Sequence, residues 1–507
     1  MNTPDAVVVG SGPNGLVAAI TLARAGRSVL VLEANATLGG SVATAELTLP
    51  GFHHDVFSAV YPATVASPVL AELPLEHHGL HWIQPELAMA HPLHGGRAAV
   101  LSRDLARTVA SLDALADGDG RRWQALVDPY LRSFEAVRET MLAGFPPIGG
   151  PAKLAAAFKY EGMLEFVRLV LMSAKTLAGE CLHGEGEAWL YGSALHGDAP
   201  IDAAGSAISG MYLNLLGHTV GWPSPEAGAG RITDALVGHL HELGGQTQAA
   251  ARVQRVLTRR GRVAAVEIEG GELVETKIVI ASTTPHGLLA LAGDALGDRY
   301  TRKAMRFRYG PQTFKIDWAL DGPIPWESAD ARVAGTVHVG GPAIELRVAL
   351  GEVARGRLPE QPFLLSGQQT IADPTRAPAG KHTAWAYTHT PSGVDWNAER
   401  EPFADTVERQ IERFAPGFRD LILARHVMAP ADLERCNANL VGGDVGGGSY
   451  DLDQLIFRPV PSLTPYSTPV RGLYIGSAST FPGGAVHGVC GDAAARHALA
   501  DARVRRY

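Results

Sequence analysis

The sequence predicts an α/β chain in which a buried parallel sheet is interrupted by a second region of mixed α and β structure. Three observations carry this. The short β-branched run "AVVVG" (6–10) stops at glycines and passes into "LVAAITLARAG". A second β-rich run, "SVLVLE" (28–33), follows immediately. Near the other end, "LYIG" (473–476) again leads through a glycine-rich turn into small residues at helical spacing. Unbroken apolar strands of this length belong to parallel sheets covered on both faces.

Composition sets the limits. At 507 residues and 46% hydrophobic content, the chain exceeds one ordinary domain and can fill a large core. A formal net charge of −8 without a basic cluster excludes the electrostatic footprint of a nucleic-acid binder. Cys181, Cys436 and Cys490 lie far apart with no CxxC pair, which argues against a zinc site or a disulfide framework. "MNTPDAVVVG" has no basic stretch ahead of its first strand, so no cleavable signal is expected. No uncharged run approaches the roughly 18 apolar residues that span a bilayer. The chain reads as cytoplasmic, with peripheral docking the one membrane association left open.

The first element after "AVVV" is the turn "GSGPNG". Gly10 allows the tight turn, Gly12 lets backbone approach a diphosphate, and Gly15 lets the helix pack closely on the strand. Pro13 and Asn14 open that helix, whose first-turn N–H groups face the diphosphate. Glu33 ends the second strand about eighteen residues after Gly15, where a carboxylate accepts hydrogen bonds from ribose hydroxyls. It also argues against a 2′-phosphate, since two negative groups would meet there. Strand, helix, second strand and terminal acid together predict a dinucleotide site.

"LGGSVAT" follows, and Gly39-Gly40 supply a second close backbone approach. Mid-chain, "RITDALVGHLHEL" predicts a helix from about Ile232 to Leu243, "ARVQRVLTRRGRVAAVEI" two strands turning at Arg260-Gly261, and "KIVIAST" another buried strand. At the far end "AVHGVCGDAAARHAL" reads as a helix whose N-terminus follows the Gly483-Gly484 pair. Such an N-terminus stabilises negative charge by about 0.3–2 kcal/mol.

Taken together, "VVVGSGPNGLVAA", "LEANATLGGS", "DPTRAPAGKHTAWAY", "DLDQLIFRPVPSLTPYSTPVRGLYIGSASTFPGGAVHG" and the mid-chain segment resemble the phytoene desaturase-like flavoproteins. The likeness is to bacterial members close to carotene ketolases and to pyridine nucleotide-disulfide oxidoreductase domain-containing protein 2-like flavoproteins. It implies a Rossmann-type FAD-binding domain of the GR2-like superfamily, discontinuous over 1–70, 226–300 and 466–507. It also implies a mixed α+β substrate-binding cap over 71–225 and 301–465. By the same resemblance FAD contacts fall on Glu33, Ala34, Gly39, Gly40 and Ser41, on Val253 beside the adenine, and on Ser282. The C-terminal contacts are Gly476, Ser477, Gly483, Gly484, Ala485 and Val486. Many relatives carry an arginine after the two glycines where this chain has Ser41, so the charge contact to the diphosphate is missing while the backbone contact remains. Without a CxxC pair, disulfide chemistry is not available.

A reduced flavin needs an oxidant, yet no second strand–GxGxxG–helix unit is present; "GAGRI" (228–232) follows "WPSPEA" rather than a strand. Dioxygen, a quinone or weakly held NAD(P) remain as acceptors. In the cap, "FKYEGMLEFVRLVLMSAKTLAG" (158–179) is largely helical, with Phe158, Met163, Phe166, Leu169, Leu171 and Met172 giving a broad apolar surface suited to a core. Lys159, Arg168 and Lys175 keep peripheral membrane contact open.

Candidates for proton transfer are His54 and Asp55 in "GFHHDVFSA", His487 in "GGAVHG" and Asp444 in "NANLVGGDVGGG", with His196 and Asp198 behind them. No metal is expected. Adjacent histidines at 53–54 and 77–78 point to opposite faces if extended, and neither pair has an acidic i, i+4 partner. Cys490 reads as a packed helix residue. The expected activity is FAD-dependent hydride removal from an apolar substrate of polyene or isoprenoid type. The alternatives are amine-oxidase-type C–N oxidation and a lipid-binding escort on the same fold.

Overall fold

The computed structural model describes residues 3–505. β1 (Ala6–Val9) and β2 (Val29–Leu32) are buried along their whole length, and α1 (Pro13–Arg24) joins them. The valines suit this burial, because their χ1 is already restricted and packs well on a pleated surface, and burying a Val or Leu side chain contributes about 1.5–3 kcal/mol. Along the strands the side chains alternate between two cores. Ala6, Val8, Val29 and Val31 face a helical layer, whereas Val7, Val9, Leu30 and Leu32 face the opposite side.

The helical layer consists of α1 together with two helices distant in sequence, α6 (Gly230–Glu242) and α8 (Val489–Arg505). The opposite side is covered by an antiparallel meander, β6 (Val253–Arg259), β7 (Arg262–Ile268) and β8 (Leu273–Glu275). Between them lies a five-stranded parallel sheet in the order β15-β9-β1-β2-β5, where β5 is Gln246–Gln248, β9 is Ile278–Ala281 and β15 is Leu473–Ile475. Ala6 is in register with Val29 on one side and Ile278 on the other. This core reaches past residue 70 to Leu73, Leu75 and Leu80, and past 300 to Ala304.

Inserted between these segments is a seven-stranded sheet in the order β14-β10-β13-β12-β11-β3-β4. Its strands are β3 (Leu87–Pro92), β4 (Ala98–Leu101), β10 (Gln312–Leu320), β11 (Ala334–Val339), β12 (Leu364–Gly367), β13 (His382–Thr390) and β14 (Ile422–Met428). All pairings are antiparallel except β3 with β11. One face is apolar: Phe314, Ile316, Trp318, Ala384, Ala386 and Val337 pack against Phe403, Val407 and Ile411 of α7 (Trp396–Glu412). The helices α2 (Gly149–Leu171), α3 (Ala174–Cys181), α4 (Glu187–Leu195) and α5 (Ser206–Thr219) build a separate core.

Two elements differ from their sequence expectation. The C-terminal helix begins at Val489 and not beside Gly483-Gly484. Gly483, Ala485 and Gly488 all have positive φ, which no helix permits, and His487 Nδ1 accepts the Val489 amide at 3.1 Å to start the helix late. The helical stretch over 158–179 is broken at Met172, where Ser173 caps α3. Within α2, Phe166 and Leu169 face the core as expected. Leu171 does not; it lies on an outer apolar stripe with Tyr160, Leu164 and Val167, which are 77%, 53% and 48% exposed.

Candidate functional site

Gly10 ends β1 with φ +97°, a conformation glycine adopts without steric cost, and its amide donates to the Leu32 carbonyl at 2.8 Å. The chain then enters α1 at Gly12-Pro13, and Gly12 offers no side chain to cap the first-turn amides. A Cβ on Gly12 would meet nothing within 4 Å, so this is the open side of the turn. A Cβ on Gly15 would lie 2.0 Å from the Gly10 carbonyl oxygen, which makes Gly15 the packing residue. Asn14 turns inward, its Oδ1 3.4 Å from the Gly491 amide of α8.

Gly39 and Gly40 bring the second loop against the first. Both have positive φ, and a Cβ on Gly40 would come within 2.9 Å of Gly12 Cα. Ser11 binds the two loops, donating its hydroxyl to Glu33 Oε2 at 2.7 Å and accepting the Gly39 amide at 3.0 Å. Glu33 is buried, with the amides of Ser11 and Asn35 each 2.9 Å from its oxygens; Ala34 is half-buried beside it. Ala251 donates to the Glu33 carbonyl at 2.7 Å and places Val253, the first residue of β6, two residues from the acid. After the two glycines, Ser41 Oγ accepts from Asn437 Nδ2 at 2.8 Å.

The remaining wall comes from the C-terminal half. Ser282 donates its amide to Val9 at 2.9 Å, and its carbonyl accepts from Asn439 Nδ2 at 2.9 Å. Gly476 donates to Ala281 at 3.0 Å, and Ser477 Oγ to Thr283 at 2.7 Å. Gly491 lets α8 cross the start of α1, since a Cβ there would lie 1.8 Å from the Asn14 carbonyl oxygen. Gly484 donates to the Tyr450 hydroxyl at 2.8 Å, and the Val486 carbonyl accepts from Thr64 Oγ1. Ala485, with φ +77°, holds a conformation that costs a residue bearing a Cβ about 1–3 kcal/mol, as strained residues at binding sites do.

Arg458 lies against Gly483 and is wholly buried. Its guanidinium donates to the Gly448 and Ser449 carbonyls at 2.9 and 3.2 Å and stacks 5.0 Å from the Tyr450 ring. Among the described residues it has no carboxylate partner within 4.0 Å. A buried charge so placed suits a bound group that gains negative charge. Two glycine loops packed on each other with the Gly12 side open, a buried acid at the end of β2 and this guanidinium fit FAD. Sequence reasoning missed Arg458, Asn437 and Asn439, although "NAN" and "FRP" lie within quoted segments; nothing local says that they fold over the nucleotide loops.

The four proton-transfer candidates do not come together. His54 and Asp55 belong to a buried ion-pair network. Asp55 receives Arg376 Nη2 at 2.6 Å, the Ala229 amide at 2.7 Å and Thr44 Oγ1 at 3.1 Å, which fastens the start of α6. His54 sits between Thr48 at 2.8 Å and Asp317 at 3.8 Å, and burial together with Lys315 pushes its pKa down to about 3. The structure thus places both expected proton-transfer residues in a buried network that ties residues 54–55 to α6 and the cap sheet. His487 is likewise engaged in capping α8, with burial lowering its pKa to about 4. Asp444 differs: burial raises its pKa, Oδ1 takes the Gly446 amide at 2.8 Å, and Oδ2 has no hydrogen-bond partner among the described residues. Cys490 is buried, 3.5 Å from the Thr480 and Gly483 carbonyls.

Beside Asp444 lies a group that the sequence ranked behind the others. Asp198 Oδ1 is 2.9 Å from His389 Nε2, and Asp198 approaches Gly446, whose Cβ would lie 2.4 Å from Oδ2. Neither ring nitrogen of His389 has an aligned hydrogen-bond partner among the described residues, so the approach to Asp198 is an ion-pair distance only. Behind them His196 and His338 meet Nε2 to Nε2 at 2.8 Å, and burial lowers both, His196 to about 3. His389 and His338 project from the second face of the cap sheet with Tyr387, Trp385, Lys315 and Asp317, opposite the apolar face.

Residues 8–73 match the family model described as an NAD(P)-binding Rossmann-like domain. "Pyridine nucleotide-disulfide oxidoreductase domain-containing protein 2" of Rattus norvegicus is 28% identical over 98% of this chain and 93% of its own. One of the limonene dehydrogenase chains of Castellaniella defragrans is 24% identical over 95% of this chain and 92% of its own. This chain resembles the phytoene desaturase-like flavoproteins. Its fold agrees: an oxidoreductase from Methanosarcina mazei superposes with a TM-score of 0.66, at 17% identity, over 97% of this chain and 99% of that one. The chain thus has a Rossmann-type dinucleotide-binding domain and the fold of the FAD-type oxidoreductases. Its cysteines are free, Cys181 and Cys490 buried and Cys436 exposed, so the first relative's name does not carry over as disulfide chemistry.

Proposed function

We propose that this protein is an FAD-dependent dehydrogenase or desaturase acting on a small apolar substrate of isoprenoid or polyene type. The observation that supports the redox reading is the packing of Gly40 against Gly12, with the Gly12 side of the turn left open and Glu33 buried beside both loops, together with Arg458 buried against Gly483 without a carboxylate partner among the described residues. FAD, when bound, supplies a two-electron acceptor. The first-turn amides of α1 bind the diphosphate, and Glu33 orients the ribose. His389 Nδ1 accepts the substrate proton, and Asp198 steadies the resulting imidazolium. Asp444, held toward its neutral form by burial, keeps a second negative charge away from that pair.

The apolar substrate is supported by the name of the limonene dehydrogenase relative and by the outer stripe of α2. Docking that stripe on a bilayer would let an apolar substrate pass without crossing water, where each buried CH₂ is worth about 0.8 kcal/mol. Among the described residues no helix is long and apolar enough to cross a membrane, so the contact proposed is peripheral. One observation favours a second reading, oxidation of a C–N bond: Trp385 and Tyr387 stack at 6.1 Å and 14°, an aromatic wall along which a neutral amine can pass.

Anaerobic titration of the FAD-loaded protein separates these readings. Terpenes and polyenes in detergent should bleach the visible flavin band, while a set of primary amines should not. Bleaching by amines alone would favour the second reading. A protein that stays colourless after FAD addition would overturn both and favour the escort. Mixing reduced protein with dioxygen, a quinone or NAD(P)⁺ then identifies the oxidant by the rate at which colour returns.

A further inference from the structure

His78 does not behave as an isolated member of a histidine pair. It closes the 3-10 helix Leu75–His78, and Gly79, with φ +84°, turns the chain away immediately afterwards. The imidazole lies over Gly238 of α6, where a Cβ would come within 3.0 Å of His78 Nδ1. Any larger residue at 238 would push the ring off the helix. With Nδ1 against the helix backbone, Nε2 is directed at the last turn of α6, 3.2 Å from Glu242 Oε2. His239 Nδ1 reaches the same oxygen at 3.3 Å. His239 and Glu242 share one face by their i, i+3 spacing, and all three ligand atoms lie within 4.8 Å of one another.

We propose that His78, His239 and Glu242 form a site for a borderline divalent cation such as Zn²⁺. Two imidazoles and one carboxylate are the ligand types this class of ion selects. A tetrahedral centre with bonds of about 2.0–2.1 Å has ligand–ligand edges of ~3.3 Å, which the two nitrogen–oxygen distances already match. His239 is buried and His78 half-buried, so two ligands are held by packing, while exposed Glu242 leaves the fourth position to water and the entry path open. The ion would fasten the 75–78 segment, which leads from the dinucleotide core into the cap, to the end of α6. This site shares no residue with the nucleotide loops described above and does not depend on the flavin reading.

The test uses the full-length protein stripped with EDTA. Calorimetric titration with Zn²⁺ should give one site per chain, and Co²⁺ should develop the intense visible absorption of a tetrahedral ion. His78→Ala, His239→Ala and Glu242→Gln should each weaken binding by ~10-fold or more, whereas His77→Ala should not. Zn²⁺ should raise the melting temperature of the wild type but not of Glu242→Gln, whose exposed side chain can be changed without disturbing the fold. No binding by the wild type, or full-affinity binding by both His78→Ala and Glu242→Gln, would overturn the proposal.

Discussion

The dinucleotide half and the cap half of this molecule solve opposite problems. The first presents backbone: Gly12 leaves the start of α1 open, Gly10, Gly39 and Gly40 let neighbouring segments pack closely around it, and Glu33 accepts the Ser11 and Asn35 amides beside them. The second presents side chains. Lys315, Asp317, Tyr387, His389 and His338 share a face of the cap sheet, and their neighbours Asp55, Arg376 and Asp198 come from remote segments. Backbone recognition tolerates little change in chain path, whereas a side-chain network tolerates little change in charge.

That contrast is broken most sharply at Gly15. Gly15→Val should cost at least about 3 kcal/mol and abolish FAD retention, because its Cβ meets backbone and not a movable side chain. Gly12→Ala should leave the melting temperature of the FAD-free protein unchanged, since its Cβ meets open space at a φ of −62°, yet weaken FAD binding ~10-fold or more. Fluorescence titration with FAD and thermal melts read the two effects separately.

On the cap side, Lys315→Met should cost about 3–5 kcal/mol in urea denaturation, because it strands Asp317, which is fully buried. Adding Asp317→Leu to that variant should restore most of the loss, as an apolar pair needs no counter-charge. Equal stability of single and double variants would show that the network contributes through packing alone.

Acid should loosen the same regions. His54 and His196 fall to about 3, and His91, His218 and His487 to about 4, all through burial. Each has a folded pKa below its unfolded value of 6.5, so the stability of its neutral form is present above pH 6.5 and is lost as pH falls toward the folded value. Asp317, raised to about 6 by burial, acts the other way: its contribution is lost as pH rises from about 4 to 6. The histidines lowered by burial outnumber the two aspartates raised by it, Asp317 and Asp444, so the urea midpoint should fall steadily from pH 6.5 to pH 4.5. The smallest effect is expected at Leu164→Ser on the outer stripe of α2, within about 0.5 kcal/mol in stability, with loss of retention on lipid vesicles.

Much of the first half was legible because its signals are local. The order strand, glycine turn, helix, strand and acid lies within 6–33, so β1, α1 and β2 can be read from neighbouring residues alone, although their burial is completed by segments far along the chain. The late start of α8 was not legible, since it depends on the positive φ of Ala485 and Gly488 and on His487 acting as its cap. His54 and Asp55 looked available to a substrate because Arg376, Ala229 and Asp317, which occupy them, lie more than 170 residues away.

The strands β10 and β13 show where sequence ends. In "QTFKIDWAL" Phe314, Ile316 and Trp318 alternate with Lys315 and Asp317, a period of two that specifies a strand with one apolar face, and β13 pairs with it in register. The same alternation makes Lys315, Asp317 and His389 look solvated. Only the tertiary structure decided otherwise, closing α4, residues 54–55 and the 444–448 loop over that face. Periodicity records which side chains share a face; what covers that face is a long-range contact, and no local pattern encodes it.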